Sequence, residues 1–238
     1  LSTPILSIDR VTKRFGGLFA VDELSLVIQE GDAHGLMGPN GAGKTTLISV
    51  IAGKYKPDEG TVKFQGRDIS GLAPHKVCHL GITRTHQIPQ PFTHLTVLQN
   101  IAVAAMYGNG MGKSAALAEA DKILEITDLP DKKDVPAGNL EALTLKRLEL
   151  ARALATKPKL LLIDEVAAGL TDVEIPRFLD ILKRIRSMGI TYIMIEHVIK
   201  VMLEAVDSVT VIDGGAKIAE GTPAEVMEDE RVIKAYLG

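Results

Sequence analysis

The stretch that most restricts how this chain can fold is residues 35–53, GLMGPNGAGKTTLISVIAG. An apolar run enters a turn crowded with glycine, and a helical pattern leaves that turn at Lys44 and stops at Gly53. Gly38, Gly43, Lys44 and Thr45 satisfy the spacing G-x-x-x-x-G-K-[ST], with the strand before it and the helix after it that this spacing requires. Successive backbone N–H groups in such a turn crowd around phosphate oxygens, and the positive end of the helix lies behind them. Residues 38–46 (Gly38, Pro39, Asn40, Gly41, Ala42, Gly43, Lys44, Thr45 and Thr46) are therefore the candidate phosphate cradle. Lys44 neutralises the β- and γ-phosphates, and the Thr45 hydroxyl is placed to ligate Mg²⁺.

Strand-like runs recur at residues 5–11, 24–29, 33–38, 61–66, 160–164, 191–196 and 208–213. Several are continuously apolar, which marks strands buried on both faces of a mainly parallel sheet. The early runs are joined by short turns and read as antiparallel. Helical patterns at 44–52, 74–80 and 173–188 each end at a glycine suited to a C-cap, Gly53, Gly81 and Gly189. Between about 88 and 156 the strand signal disappears. The expected architecture is an α/β core over 1–87 and 157–238, with an antiparallel β part near the N-terminus and an all-helical subdomain inserted at 88–156.

With 238 residues, 46% of them hydrophobic, the chain can bury the core of one large α/β domain. The net charge of −3 has both signs interspersed, which argues against nucleic acid as the main ligand. A single cysteine, Cys78, excludes an internal disulfide framework and reads as a small buried apolar residue. No apolar run approaches the ~20 residues that span a bilayer, so the chain is expected to be soluble, with another protein holding it at any membrane.

Two further strand ends carry chemistry. In KLLLIDE (159–165) four apolar residues place Asp164 at the C-terminal edge of a buried strand, where it can hold Mg²⁺ through water. Glu165, next to it, can polarise a water for attack on the γ-phosphate. In TYIMIEHV (191–198) another buried strand ends just before His197, at the same sheet edge if the strands are parallel, so His197 is the candidate γ-phosphate contact.

Together these residues resemble the ATP-binding subunits of ABC transporters, a likeness that runs from LSIDRVTKRFGG to VIKAYLG. The resemblance implies a P-loop (RecA-like) ATPase using ATP and Mg²⁺. Under it, Phe15 in KRFGG is similar to the aromatic that stacks on adenine. Gln87 in TRTHQIP is similar to the glutamine that reaches the metal and the attacking water, and that marks the hinge of the helical subdomain. Arg152 and its LARAL helix match the family as well.

The match weakens at residues 137–154, AGNLEALTLKRLELARAL. Leu143, Arg147, Leu150 and Leu154 have helical spacing, and Asn139 reads as the N-cap. In the family, a Ser-Gly-Gly-Gln type signature begins this helix and meets the γ-phosphate held by the other subunit of a dimer. Here Leu140, Glu141, Ala142, Leu143 and Thr144 stand in its place, with Glu141 at the serine position and Leu143 at a glycine position. A carboxylate ~4 Å from a phosphate is repelled by about 4 kcal/mol per charge pair at an effective dielectric of ~20. Glu141 is thus expected to turn away, leaving the helix N-terminus and Thr144 to meet the nucleotide. Thr171 likewise stands where an aspartate is usual for communication across the dimer. Both departures lie on elements offered to a partner, whereas Lys44, Asp164, Glu165 and His197 are intact, so a heterodimer with a better signature on the partner is expected.

Within the family, GITRTHQIPQPFTHLTVLQNIAVA and the closing IAEGTPAEVMEDERVIKAYLG look most like ATPases of branched-chain (hydrophobic) amino acid importers. That likeness implies a second ATPase subunit, integral membrane permease subunits, and indirectly a solute-binding protein. It also implies a peripheral place on the cytoplasmic face of the inner (plasma) membrane. A soluble non-transport ABC ATPase acting on DNA or ribosomes, or a weakly hydrolysing regulatory nucleotide-binding subunit, are the competing readings.

Overall fold

The mainly apolar runs Ala33–Met37, Leu160–Asp164 and Thr191–Ile195 are strands buried along their whole length, as expected of strands covered on both faces. The computed structural model describes residues 4–237. In chain order its elements are β1 (Leu6–Phe15), β2 (Leu18–Ile28), β3 (Ala33–Met37), α1 (Lys44–Ile51), β4 (Glu59–Phe64), β5 (Arg67–Asp68) and α2 (Pro74–Leu80). Next come β6 (Ile82–Arg84), α3 (Val97–Asn109), α4 (Lys113–Ile126), α5 (Ala142–Ala155), β7 (Leu160–Asp164) and α6 (Glu174–Ser187). The chain closes with β8 (Thr191–Ile195), α7 (Ile199–Ala205), β9 (Ser208–Asp213), β10 (Ala216–Gly221), α8 (Pro223–Glu228) and α9 (Glu230–Leu237). Two compact units result, one built from residues up to Val77 and from Thr191 onward, the other from Cys78–Ile190.

In the first unit β3 runs parallel to β8 on one side and β9 on the other, and β10 pairs antiparallel beyond β9. Leu36 stands opposite Ile195, and Met37 opposite Val211. The turn leaving β3 at Gly38 and the turn leaving β8 toward His197 therefore open at one sheet edge. A separate antiparallel sheet has the order β2-β1-β4-β5. Helix α1 buries Leu47, Ile48, Val50 and Ile51, which fixes the direction in which its N-terminus points.

Several polar residues are buried inside this unit, among them Thr12, His34, Lys44, Ser49 and Glu196. His34 on β3 is 1% exposed, with Nδ1 2.8 Å from Ser208 Oγ and Nε2 3.0 Å from Thr210 Oγ1. Burial holds its pKa down at about 4, against the opposing pull of Glu220 and Asp32.

In the second unit β6 and β7 pair in parallel, with Ile82 opposite Leu160 and Arg84 opposite Leu162. The described residues between these strands form helices and 3-10 turns, joined by a single bridge between Thr96 and Pro136. Helix α3 starts with a capping box, in which Thr96 Oγ1 accepts from the Gln99 amide and the Gln99 side chain accepts from the Thr96 amide. Buried Asn100 fixes the preceding loop by donating to the carbonyls of Phe92, Leu95 and Thr96. Alanines 116 and 120 let α4 approach α3 closely.

Three strands lie outside the runs expected from sequence: β5, β6 and β10. The first two have two and three residues, too few for a periodic signal. Strand β10 is an edge strand carrying Lys217 and Glu220, so its pattern is not apolar. Cys78 is half-buried, with its thiol 3.7 Å from Thr83 Oγ1, and not a fully buried residue.

Candidate nucleotide-binding site

The loop after β3 has the backbone that a phosphate cradle needs. Gly38, Gly41 and Gly43 adopt φ of 146°, 81° and 107°. A Cβ on Gly43 would lie 2.0 Å from the Ala20 carbonyl oxygen, and one on Gly38 2.0 Å from that of Ile212. Gly43 is the N-cap of α1 and brings no side chain to it. The amides of Thr45 and Thr46, in the first turn, have no intrahelical acceptor and are presented to an anion. Lys44 is buried, and its Nζ donates to the carbonyls of Gly38 at 2.6 Å and Pro39 at 2.9 Å, so the ammonium already lies inside the loop. Asn40, Gly41 and Thr45 are exposed. Ala42 is buried and its carbonyl accepts from the Gly215 amide, which ties the loop to the β9–β10 turn.

Two other expected residues share this unit. Phe15 ends β1 with 43% of its surface exposed and its ring edge-on to Tyr55 at 5.2 Å. It is not a core phenylalanine, and Lys13 Nζ lies over its ring, 5.6 Å from the centroid. His197 is exposed and lines a cavity of about 380 Å³ together with Met37, Ile199, Met227, Val232, Ile233 and Tyr236. The Tyr236 hydroxyl accepts the Gly38 N–H at 2.9 Å. The sequence points to the loop after Met37 and to His197 but not to Tyr236, whose distance in the chain gives no local signal.

The acids belong to the second unit. Asp164 is 0% exposed. Its amide donates to Thr85 Oγ1 at 3.0 Å, and its Oδ2 accepts from Arg84 Nη2 at 2.6 Å. Its Oδ1 is buried with no hydrogen-bond partner. A bare carboxylate oxygen in the interior suits a hard cation such as Mg²⁺, so this residue fits the metal that the sequence implies. Glu165 follows in the left-handed region at φ 49°. Its Oε2 accepts from Gln87 Nε2, so two of the expected catalytic residues meet directly. Lys146 on α5 donates to the carbonyls of Glu165, at 3.4 Å, and Ala168. Neither Arg84 nor Lys146 is expected from sequence; both act on the end of β7 from more than 15 residues away in the chain.

The start of α5 differs from expectation. Asn139 is not the N-cap. It ends a 3-10 turn, Ala137–Asn139, that follows Pro136, and Leu140 is extended. Glu141 takes the N-cap position, with no side-chain cap hydrogen bond, and is exposed. Thr144 is 7% exposed, so its hydroxyl is not offered to a nucleotide as the spacing suggested. Thr171 closes a local turn, its amide and hydroxyl both donating to Glu174 Oε2 at 2.8 and 2.7 Å. Those bonds hold the Glu174 carboxyl below its ordinary range. Arg152 bridges Glu149 Oε2 at 2.7 Å and the Gln90 carbonyl at 2.9 Å, with its guanidinium beside the Phe92 ring.

Residues 21–168 match the ABC transporter family, and residues 216–238 match the branched-chain amino acid ATP-binding cassette transporter family. The chain is 36% identical to the probable branched-chain amino acid transport ATP-binding protein LivG of Archaeoglobus fulgidus, over 98% of this chain and 95% of that protein. It is 35% identical to the high-affinity branched-chain amino acid transport ATP-binding protein BraF of Pseudomonas aeruginosa, over 100% of this chain and 99% of that one. Among solved structures it is similar to a nucleotide-free ATP-binding cassette from an ABC transporter, with a TM-score of 0.87, 34% identity and 99% of both chains covered. An ATP-binding cassette of an ABC transporter in its ADP conformation gives a TM-score of 0.86 at 34% identity, again with 99% of both chains covered. By full-length likeness and by its phosphate loop, this chain belongs to the ABC transporter family as an ATP-binding, ATP-hydrolysing subunit.

Proposed function

We propose that this ATPase drives import of branched-chain or other hydrophobic amino acids. The support for that cargo is the full-length likeness to branched-chain transport ATP-binding proteins and the family match over 216–238. For the chemistry, the carrying observation is the loop after β3, where positive-φ glycines and the buried Lys44 form a cradle for a triphosphate.

In this reading, backbone N–H groups of residues 38–46 bind the phosphates, Lys44 neutralises their charge and Phe15 stacks on the adenine. Glu165 accepts the proton of the attacking water, and Gln87, which donates to Glu165, orients that water and carboxylate. His197 contacts the γ-phosphate. Thr45, Asp164 and Gln87 would hold Mg²⁺, which when bound neutralises the phosphate oxygens during transfer. Catalysis is positioning and charge stabilisation throughout.

A second ATPase subunit completes the site. The exposed Glu141 at the α5 N-cap makes this chain's own signature region a poor phosphate contact and favours a partner with a better one. Integral membrane permeases carry the solute, a solute-binding protein delivers it, and the 88–156 helical block passes motion to them. No helix among the described residues is long and apolar enough to cross a membrane; in this reading the chain is a peripheral subunit on the cytoplasmic face.

The test is reconstitution with the partner ATPase and permeases in vesicles. ATP-dependent uptake of leucine, isoleucine or valine is expected, and ATP turnover without uptake of any hydrophobic amino acid would overturn the cargo. Glu165→Gln should retain Mg²⁺·ATP binding while turnover falls by about 10²-fold or more. Undiminished turnover would remove Glu165 from the role of base.

A further inference from the structure

The reading of Asp164 as a metal carboxylate leaves one neighbour unexplained. Arg84, on the three-residue strand β6, donates to Asp164 Oδ2 at 2.6 Å, with side-chain exposures of 12% and 0%. A fully buried carboxylate has to be compensated by something, and in the absence of metal the compensating charge is this guanidinium. The contact is built into the strand pairing. Arg84 lies opposite Leu162 on β7, while the next residue, buried Thr85, fixes the Asp164 backbone through its hydroxyl. The two oxygens of Asp164 are thereby distinguished, since Oδ2 is held by Arg84 and Oδ1 has no partner.

We propose that Arg84 is the resident counter-ion of the metal carboxylate. It holds and orients the Asp164 carboxylate in the interior between nucleotides through Oδ2, with Oδ1 left for the cation. This inference rests on Asp164 being a metal ligand and goes beyond it by naming the residue that stands in for the metal's charge. Arg84 is a positioning residue, since it touches the metal-binding carboxylate and not the reacting atoms. The arrangement has a thermodynamic consequence. In the native protein, metal arrival adds charge to a carboxylate already compensated. Without Arg84 the same carboxylate waits uncompensated, so metal arrival relieves more.

The experiment measures Tm of the full chain with ADP in EDTA and with ADP plus Mg²⁺, and takes the difference as the metal increment. For Arg84→Met, the metal-free Tm should fall by on the order of 10 °C. Its metal increment should exceed that of the native protein by about 2–4 °C or more. An increment equal to or below the native one would show that Arg84 is only packing, or that it merely orients the carboxylate, and would overturn the proposal. If Arg84→Met is recovered unfolded, Arg84→Gln carries the test. Its amide can still donate to Asp164 Oδ2 but brings no charge, so an increment above native supports the proposal and one at or below native refutes it. Asp164→Asn separates the two layers of the argument. If that variant keeps the native increment, Asp164 is not a metal ligand and both readings fall. If it loses the increment while the Arg84 variants show no gain, only the counter-ion role is lost.

Discussion

Two turns in this molecule leave fully buried strands and carry chemistry, yet they solve the same backbone problem in opposite ways. After β3, left-handed positions are occupied by glycine, at Gly38, Gly41 and Gly43. After β7, the left-handed position is occupied by Glu165, at φ 49°. The first turn works through its amides, so a side chain there would only obstruct. The second must present a carboxylate, so the backbone tolerates a sparsely populated conformation and bonds from elsewhere hold it. Gln87 holds the Glu165 carboxylate, and Lys146 holds the carbonyls of Glu165 and Ala168.

The largest effect that bears on this contrast is expected at Gly43. A Cβ there meets the Ala20 carbonyl oxygen at 2.0 Å in a conformation that L-residues avoid. Gly43→Ala should destabilise the chain by on the order of 3 kcal/mol or more and abolish nucleotide binding. Denaturant unfolding and fluorescent-nucleotide titration read the two effects. Binding at native affinity would mean the loop re-forms around a side chain, and the distinction between the turns would fail.

Next in size is an acid sensitivity confined to the glycine-loop side. Strand β3 carries His34, whereas β7 reads Leu-Leu-Leu-Ile-Asp and has no comparable histidine. The folded state holds His34 at a pKa of about 4, down from 6.5, because its environment excludes water. Between those values the unfolded chain binds more protons, so the stability His34 contributes is complete above pH 6.5 and drains away as pH falls toward 4. The loss across this window is about 3 kcal/mol, since each pH unit between the two values is worth about 1.4 kcal/mol. Urea unfolding of native protein and of His34→Gln across this window should show the native protein losing more. Parallel pH dependences would place the acid response elsewhere.

The same contrast governs what can be read from the chain. The glycine loop announces itself because everything it needs is consecutive, from β3 through Gly38 to the first turn of α1. The buried strands 33–37, 160–164 and 191–195 are legible for a similar reason, since burial on both faces leaves a mainly apolar run, interrupted only by single polar residues such as His34. The supports of the acidic turn are not. Arg84 stands on a strand of three residues, too short to have a period. Lys146 reads as one more polar residue on an amphipathic helix, and Tyr236 acts on Gly38 from the far end of the chain. The N-cap expected at Asn139 lies instead at Glu141, because the Pro136 turn carries the chain two residues further before α5 begins. Bonds between distant residues leave no trace in local spacing.

The smallest effect on stability gives the sharpest comparison. Glu165→Gly replaces the strained residue with one that accepts φ 49° freely, while removing the carboxylate that Gln87 holds. Relief of left-handed strain is worth ~1 kcal/mol, and loss of the carboxylate's contacts, the bond from Gln87 among them, offsets about as much. Thermal unfolding should therefore show a Tm within a few degrees of native, on the order of 2–4 °C higher if strain dominates. ATP turnover should be abolished. A glycine placed at one turn then leaves the fold intact and removes the reaction, whereas a glycine taken from the other removes the fold of the loop itself. A Tm drop as large as that of Gly43→Ala would show that the contacts of Glu165 exceed its backbone strain. The acidic turn would then be held by its side chain, not stored under tension for the chemistry it performs.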